Sequence, residues 1–208
     1  MATKLITLNI NGLNCKKKQQ SLFDFIHNNN FSIINLQEHN LKNKDDLIDI
    51  FYEHFYVYIN ESIHLKGGTA IFIDKKITNN IIHVEKSPDS RIISVKLMIG
   101  TQHLHLLNIY APSGTKYHQE REDLFKNELV YYLRNNLSNS IILGDFNCIT
   151  SSKDSTSKGS CPLSKSLQNI VNNLKLKDIW TMFHQQVNFT YFRENYGSRL
   201  DRIYAGNL

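Results

Sequence analysis

Apolar residues along this chain fall in short runs whose period alternates between two and about 3.6. Lys4 to Ile10 reads as a strand, and Leu22, Phe25 and Ile26 then recur at i, i+3 and i+4 as a helix face does. Phe31 to Leu36 is almost continuously apolar, the mark of a strand buried on both sides. Further strand-like runs cover Phe55 to Ile59, Thr69 to Ile73, Arg91 to Met98 and His103 to Tyr110. In the Arg91 run, Ile93, Val95 and Leu97 alternate with Ser94 and Lys96, which predicts one buried and one wetter face. Tyr117 to Asn135 places Phe125, Leu129, Tyr132 and Leu133 on one side of an amphipathic helix. Ser140 to Leu143 predicts a short central strand and Leu163 to Leu174 a second helix, while Thr150 to Ser160, rich in Ser, Lys and Thr, reads as a surface loop. With no internal repeat, the alternation predicts two sheets packed face to face with helices outside, an α/β sandwich.

Composition narrows the picture less than the pattern does. A chain of 208 residues, 41% hydrophobic and 21% charged, can bury a sizeable core, and residues 1–208 are expected to form one domain. The formal charge of +5 permits a polyanionic partner, with basic clusters at Lys16-Lys17-Lys18, at Lys75-Lys76 and between Lys153 and Lys165, although ordinary solvated surfaces carry such clusters too. Cys15, Cys148 and Cys161 are odd in number and lack metal-ligand spacing, which fits a reducing compartment better than a disulfide framework. The N-terminal residues are too short in apolar content to read as a signal peptide, and no apolar run approaches membrane-spanning length. The expectation is an intracellular monomer, nuclear or cytoplasmic, not secreted and without membrane contact.

Polar motifs stand at the ends of the apolar runs. Carboxylates and amides at strand ends suit a metal-assisted hydrolase, because the strands fix position while their ends open outward. Gly144-Asp145-Phe146-Asn147 follows a buried strand, and Asp145 and Asn147, two apart, can project to one side; a strand-terminating turn would use the same residues. Glu38 closes the Phe31 run, where a charge must be either at the surface or paired with a metal or base. Asn9 and Asn11 flank Ile10 ahead of Gly12 with both amides on one face, a pattern that a turn cap would also give. Tyr110, ahead of Ala111-Pro112, could hold its hydroxyl at the core rim, and Asn108 is similarly open to two readings.

Taken in order, Leu8-Asn9-Ile10-Asn11-Gly12-Leu13, Gln37-Glu38-His39, Gly67-Gly68-Thr69-Ala70, Asn108-Ile109-Tyr110-Ala111-Pro112, Gly144-Asp145-Phe146-Asn147, Phe189-Thr190-Tyr191-Phe192 and Ser198-Arg199-Leu200-Asp201-Arg202-Ile203 resemble the endonuclease/exonuclease/phosphatase family, which includes the abasic-site endonucleases and deoxyribonuclease I. Asn11, where many abasic-site enzymes carry Asp, and the Asn-Ile-Tyr-Ala-Pro wording are most similar to the endonuclease domain of LINE-type, non-LTR retrotransposon proteins. The resemblance implies a four-layered α/β sandwich and Mg²⁺-dependent DNA nicking, with Mn²⁺ as a substitute ion, in a chain fused to or derived from a reverse-transcriptase polyprotein. It implies that Glu38 is the principal metal ligand with Asn11 nearby, that Asp145 orients and deprotonates the attacking water, and that Asn147 donates its amide to a phosphate oxygen or the nucleophile. Asn9 would hold neighbouring groups by hydrogen bonds, Tyr110 would place a hydroxyl near the phosphate, and Asp201 would orient a histidine. Thr190 to Leu200 is expected to form a DNA-touching β-hairpin with turn chemistry at Asn195 and Gly197, and Thr190, Arg193, Tyr196 and Arg199 would contact DNA.

That histidine belongs to a Ser-Asp-His motif on a last strand in the family, and no Asp-His dipeptide occurs here. None of the nine histidines follows Asp201, and His39 alone adjoins a motif. The expectation is a domain incomplete at its C-terminus, with one transition-state donor missing, a loss that commonly costs about 10²- to 10³-fold in rate. A catalytically dead nucleic-acid-binding remnant is the alternative, and a lipid or sugar phosphatase of the same family a weaker one.

Overall fold

The computed structural model describes residues 3–63, 67–134, 139–156, 162–184, 186 and 188–206. Cys161, Asn135 at the end of the expected helix and the second half of the Thr150–Ser160 loop lie outside the described residues. The chain divides into two compact units, Met1–Tyr110 and Ala111–Leu208.

The first unit is built on strands β1 (Leu5–Asn9), β2 (Ile33–Gln37), β3 (Phe55–Asn60) and β4 (Thr69–Asp74) in the order β1-β2-β4-β3. β1 and β2 run parallel, joined by helix α1 (Lys16–Asn29), as a parallel crossover requires. The registers Asn9↔Gln37, Gln37↔Thr69 and Asn60↔Thr69 bring the ends of β1, β2 and β3 and the start of β4 to one edge. All five β2 residues are buried, as their unbroken apolar run predicts. α1 buries Gln19, Leu22, Phe23 and Ile26, not the expected Phe25, which is 43% exposed and packs its ring on Phe31 at 5.7 Å. Each apolar side chain fully buried on that face contributes roughly 1.5–3 kcal/mol.

A second layer follows within the same unit: the antiparallel meander β5 (Asn80–Lys86), β6 (Ile92–Ile99) and β7 (Gln102–Tyr110). Two buried amides tie it to the first layer. Asn108 Nδ2 donates to the carbonyls of Leu36 and Ala70, both at 2.9 Å, and Asn60 Nδ2 donates to those of Ser87 and Ile92, both at 3.0 Å. Ser94, expected on the wetter face of β6, is buried, because its hydroxyl pairs with the ring of buried His105 at 2.8 Å across the β6–β7 ladder.

In the second unit, β8 (Ser140–Asp145) pairs antiparallel with β12 (Asp201–Ala205), which in turn pairs with the short β9 (Lys177–Asp178). The amphipathic segment expected from Tyr117 is helical from His118 to Leu133, as α3 (His118–Asp123), a π-helical stretch (Leu124–Leu129) and α4 (Val130–Leu133). Its Phe125 meets Phe146, which sits edge-on to Tyr204, and these rings form the centre of the unit's core. α5 (Lys165–Asn173) starts where the Ser164 hydroxyl accepts from the Leu167 N–H. The expected hairpin is present as β10 (Tyr191–Arg193) and β11 (Tyr196–Ser198). Its turn is the pair Glu194-Asn195, with Glu194 at φ +49°, while Gly197 pairs with Phe192 in the ladder, where a Cβ would come within 2.7 Å of the Phe189 ring.

Candidate active site

At the shared edge of β1 and β2 the two strands continue past their ladder. The N–H groups of Ile10, Gly12 and Leu13 donate to the carbonyls of Gln37, Glu38 and His39 at 2.9, 2.6 and 2.8 Å. Asn11 (φ +46°) and Glu38 (φ +53°) both take the left-handed conformation that non-glycine residues avoid, and such strain concentrates where a side chain must be held in a particular place. Asn9 joins the two segments: its Nδ2 donates to Glu38 Oε1 at 2.9 Å and its Oδ1 accepts from the Asn11 N–H at 3.2 Å. Glu38 itself is half-buried.

Behind Glu38 stands a buried polar platform. Gln37 donates to Asn108 Oδ1 and exchanges bonds with the Thr7 hydroxyl, and Asn108 holds the backbones of β2 and β4. Asn108 is therefore a strut between layers. His39 is fully buried; its Nδ1 accepts from the Leu41 N–H at 3.0 Å, which leaves Nε2 to donate to the Asn60 carbonyl at 3.1 Å. Burial holds this imidazole neutral, pushing its pKa down to about 4. Gly68 (φ +88°) lies against that ring, and a Cβ there would come within 2.5 Å of Nε2, so glycine is demanded there by close approach and at Gly67 by its φ of +125°. Tyr110, at the end of β7, is half-buried beneath the Arg91 guanidinium, 5.5 Å from its ring centre.

The second unit carries the other candidate residues. Asp145 ends β8 and is 6% exposed; its Oδ1 accepts from the Asn147 N–H at 2.9 Å, and Asn147 (φ +48°) donates Nδ2 to the Ala111 carbonyl at 2.9 Å. These bonds make the motif a strand-terminating turn, with the Asp145 carboxylate and the Asn147 amide both engaged in it. Asp201 sits directly opposite Asp145 in the β8–β12 register. Burial raises the pKa of Asp201, opposed by the Thr190 hydroxyl and the Arg202 charge, so this carboxyl keeps its proton to higher pH than a solvated one.

Thr190 anchors the base of the hairpin: its hydroxyl accepts from the N–H groups of Leu200 and Asp201, each at 3.1 Å. Arg193 is exposed at the tip and Tyr196 is half-buried beside Tyr191. Arg199 corrects the expectation of a DNA contact. It is 4% exposed, with its guanidinium held by Asp154 at 3.0 Å and by Asp178 at 2.7 Å, because a buried charge must be paired. Asp154 also takes Arg202 Nη2 at 2.9 Å. Burial alone would raise the Asp154 pKa, but Arg202 and Arg199 hold it below the usual carboxylate range. The loop expected to be simply surface thus contains a buried ionic anchor. Asp154 and Asp178 were not foreseen from sequence, since a lone Asp in a polar stretch gives no sign of what it will meet.

Among the described residues no group of three or more His, Cys, Asp or Glu side chains could hold a metal ion. The oxygen donors at the β1–β2 edge, one carboxylate with an amide beside it, are nevertheless of the kind Mg²⁺ uses, since that ion keeps several of its waters. No described helix is long and apolar enough to cross a membrane.

Solved structures share this fold. The 3'-5' exonuclease NExo from Neisseria meningitidis superposes with a TM-score of 0.78 at 20% identity, covering 98% of this chain and 87% of that one. The AP endonuclease LMAP from Leishmania major gives 0.78 at 17% identity over 99% and 80% of the two chains, and an AP endonuclease from Archaeoglobus fulgidus gives 0.76 at 18% over 99% and 87%. The architecture is accordingly the α/β fold of two mixed sheets with flanking helices that the sequence pattern predicts. Residues 6–208 match the family model itself, and the chain belongs to the endonuclease/exonuclease/phosphatase family.

Proposed function

We propose that this chain is a Mg²⁺-dependent, DNA-nicking phosphodiesterase, the endonuclease domain of a non-LTR retrotransposon. The observation that carries the reading is the β1–β2 edge, where Asn9 bonds the Glu38 carboxylate and both Glu38 and Asn11 are left-handed, in a chain of this family. A structural neighbour, the 3' phosphatase NExo from Neisseria, was solved with a product DNA hairpin, which supports DNA as the substrate class. The retrotransposon assignment rests on the motif wording, Asn11 and Asn108-Ile109-Tyr110-Ala111-Pro112.

Glu38 and Asn11 would hold the ion, which supplies charge neutralisation at the phosphate and leaving oxygen. Asp145 orients the attacking water and accepts its proton, and the Asn147 N–H bond to Asp145 Oδ1 keeps that carboxylate from rotating. The Asn147 amide has one hydrogen bonded to Ala111, and its second serves a phosphate oxygen. Tyr110 offers its hydroxyl to the phosphate, and Asp201 orients a transition-state donor. Thr190 sets the hairpin, from which Arg193 and Tyr196 supply a phosphate contact and a stacking surface.

Plasmid nicking with MgCl₂, read on this chain and on one continued through a Ser-Asp-His strand, tests the proposal. Asp145→Ala should lower nicking by about 10²-fold or more, EDTA should abolish it, and Glu38→Ala should weaken Mg²⁺ binding by calorimetry. Nicking that survives Asp145→Ala or EDTA would overturn the mechanism. DNA binding without nicking in the extended chain would favour the non-catalytic remnant.

A further inference from the structure

We infer that Lys18 is a positioning residue for the metal-binding carboxylate, acting through a single peptide group and Asn9. The inference rests on the metal role proposed for Glu38.

Three consecutive lysines open α1, and the middle and first of them, Lys17 and Lys16, are exposed. Lys18 is half-buried, and its Nζ donates to the carbonyl of Ile10 at 2.5 Å and to that of Asn11 at 3.1 Å. Those carbonyls belong to the two peptide groups whose N–H ends meet the candidate site. The Ile10–Asn11 peptide gives its N–H to Asn9 Oδ1, and the Asn11–Gly12 peptide gives its N–H to the Glu38 carbonyl at 2.6 Å. The ammonium therefore backs both peptides from the side opposite Asn9 and Glu38.

The continuous path runs from Lys18 Nζ to the Ile10 carbonyl, through that peptide to the Asn11 N–H, on to Asn9 Oδ1, and from Asn9 Nδ2 to Glu38 Oε1. A charged donor on a carbonyl polarises the amide and strengthens the bond its N–H makes, and bonds in such a chain reinforce one another. The bond to Asn9 Oδ1 decides which way the Asn9 amide faces, and only that orientation presents Nδ2 to Glu38. Lys18 reaches the carbonyl side of this turn from the first turn of α1. Its neighbour Gln19 does the same service one turn over, donating to the carbonyls of Leu13 and Asp46, so the start of α1 clamps the whole loop after β1.

A lysine beside a cation site has two opposed effects. Its charge, which neutral carbonyls do not cancel, repels the metal, while its two hydrogen bonds order the turn behind the ligand, and the second effect is expected to be the larger. The test is Mg²⁺ affinity measured with MgCl₂ alone by calorimetry, with thermal melts as the check on folding. Loss of a hydrogen-bond partner behind a metal ligand typically costs about 10- to 100-fold in affinity, and Lys18→Met should weaken Mg²⁺ binding toward the lower end of that range. Lys17→Met removes the same charge without touching the turn and should leave binding unchanged or slightly tighter. Asn9→Ala should weaken binding by a similar factor, and the Lys18→Met/Asn9→Ala double variant should be no weaker than the worse single one, because both cut one path. Equal effects of Lys17→Met and Lys18→Met, or additive losses in the double variant, would overturn the inference. If Lys18→Met does not melt cooperatively, Lys18→Gln, which keeps an N–H donor, should retain binding better than Asn9→Ala, and the reverse order overturns it. If Glu38→Ala leaves Mg²⁺ affinity intact, it is the metal assignment that fails.

Discussion

Both ring nitrogens of His39 are spent inside the protein, one accepting from Leu41 and the other donating to Asn60. A histidine next to a glutamate proposed to hold a metal invites a catalytic reading, yet both of its ring nitrogens are already bonded within the protein. Its function is to shape the loop that carries Glu38, and Gly68 is the residue that makes room for it. Gly68→Ala adds a methyl group 2.5 Å from His39 Nε2 at a backbone φ of +88°. Denaturant unfolding should show a loss of roughly 2 kcal/mol or more. Combining it with His39→Ala, which empties the space, should cost less than the two single losses summed. Additivity would mean that the ring is not what excludes a side chain at position 68.

Among the elements, the loop between β8 and α5 shows how a polar stretch can be structural. Ser151 caps a short 3-10 turn whose Asp154 then gathers the N–H groups of Thr150 and Ser151, the Thr150 hydroxyl, and the guanidinium groups of Arg199 and Arg202. Thr156 exchanges two bonds with Gly197, so the same loop carries the DNA-facing hairpin proposed above. Breaking such a buried pair leaves uncompensated charge, and Asp154→Asn should destabilise the protein by roughly 3–5 kcal/mol in urea titrations. The pH dependence has a defined sign. With the folded pKa held below the unfolded value of about 3.9, the carboxylate's contribution is complete above that pH and is lost as pH falls through the folded pKa. Acid unfolding below about pH 4 should therefore be less steep in Asp154→Asn than in the parent protein. An unchanged acid limb would show that the network titrates elsewhere.

For the molecule as a whole, the proposed association with DNA would weaken as salt rises, as expected for a chain with a formal charge of +5. If Arg193 at the hairpin tip meets a phosphate, Arg193→Ala should reduce the slope of log affinity against log salt by about 0.9, the increment for one phosphate contact. Arg199→Ala should instead cost stability, because that guanidinium lies between two aspartates. A slope unchanged by Arg193→Ala would leave the tip a connector.

Much of this protein can be read in its chain. The short apolar run before Glu38, rich in β-branched residues, predicts a strand covered on both faces, and all five residues of β2 are buried. The family motifs locate Glu38, Asp145 and their amide neighbours because turns after strands need particular residue types. The edge strand β5, with its irregular register between Ile81 and His83 and no fully buried side chain, carries too weak an alternation to be recognised. Helix α2 (Asp49–His54) and helix α6 (Ile179–Phe183) are too short for a periodic signal. The fate of individual polar residues is decided by tertiary structure alone. Arg199 is turned inward by Asp154 and Asp178, 45 and 21 positions away in sequence, and Ser94 is buried by His105 on the next strand. Lys18 differs from Lys16 and Lys17 only in what faces it. A local pattern specifies which backbone conformation is cheapest; the partner of a charge is set by chain segments that meet only once the fold has formed.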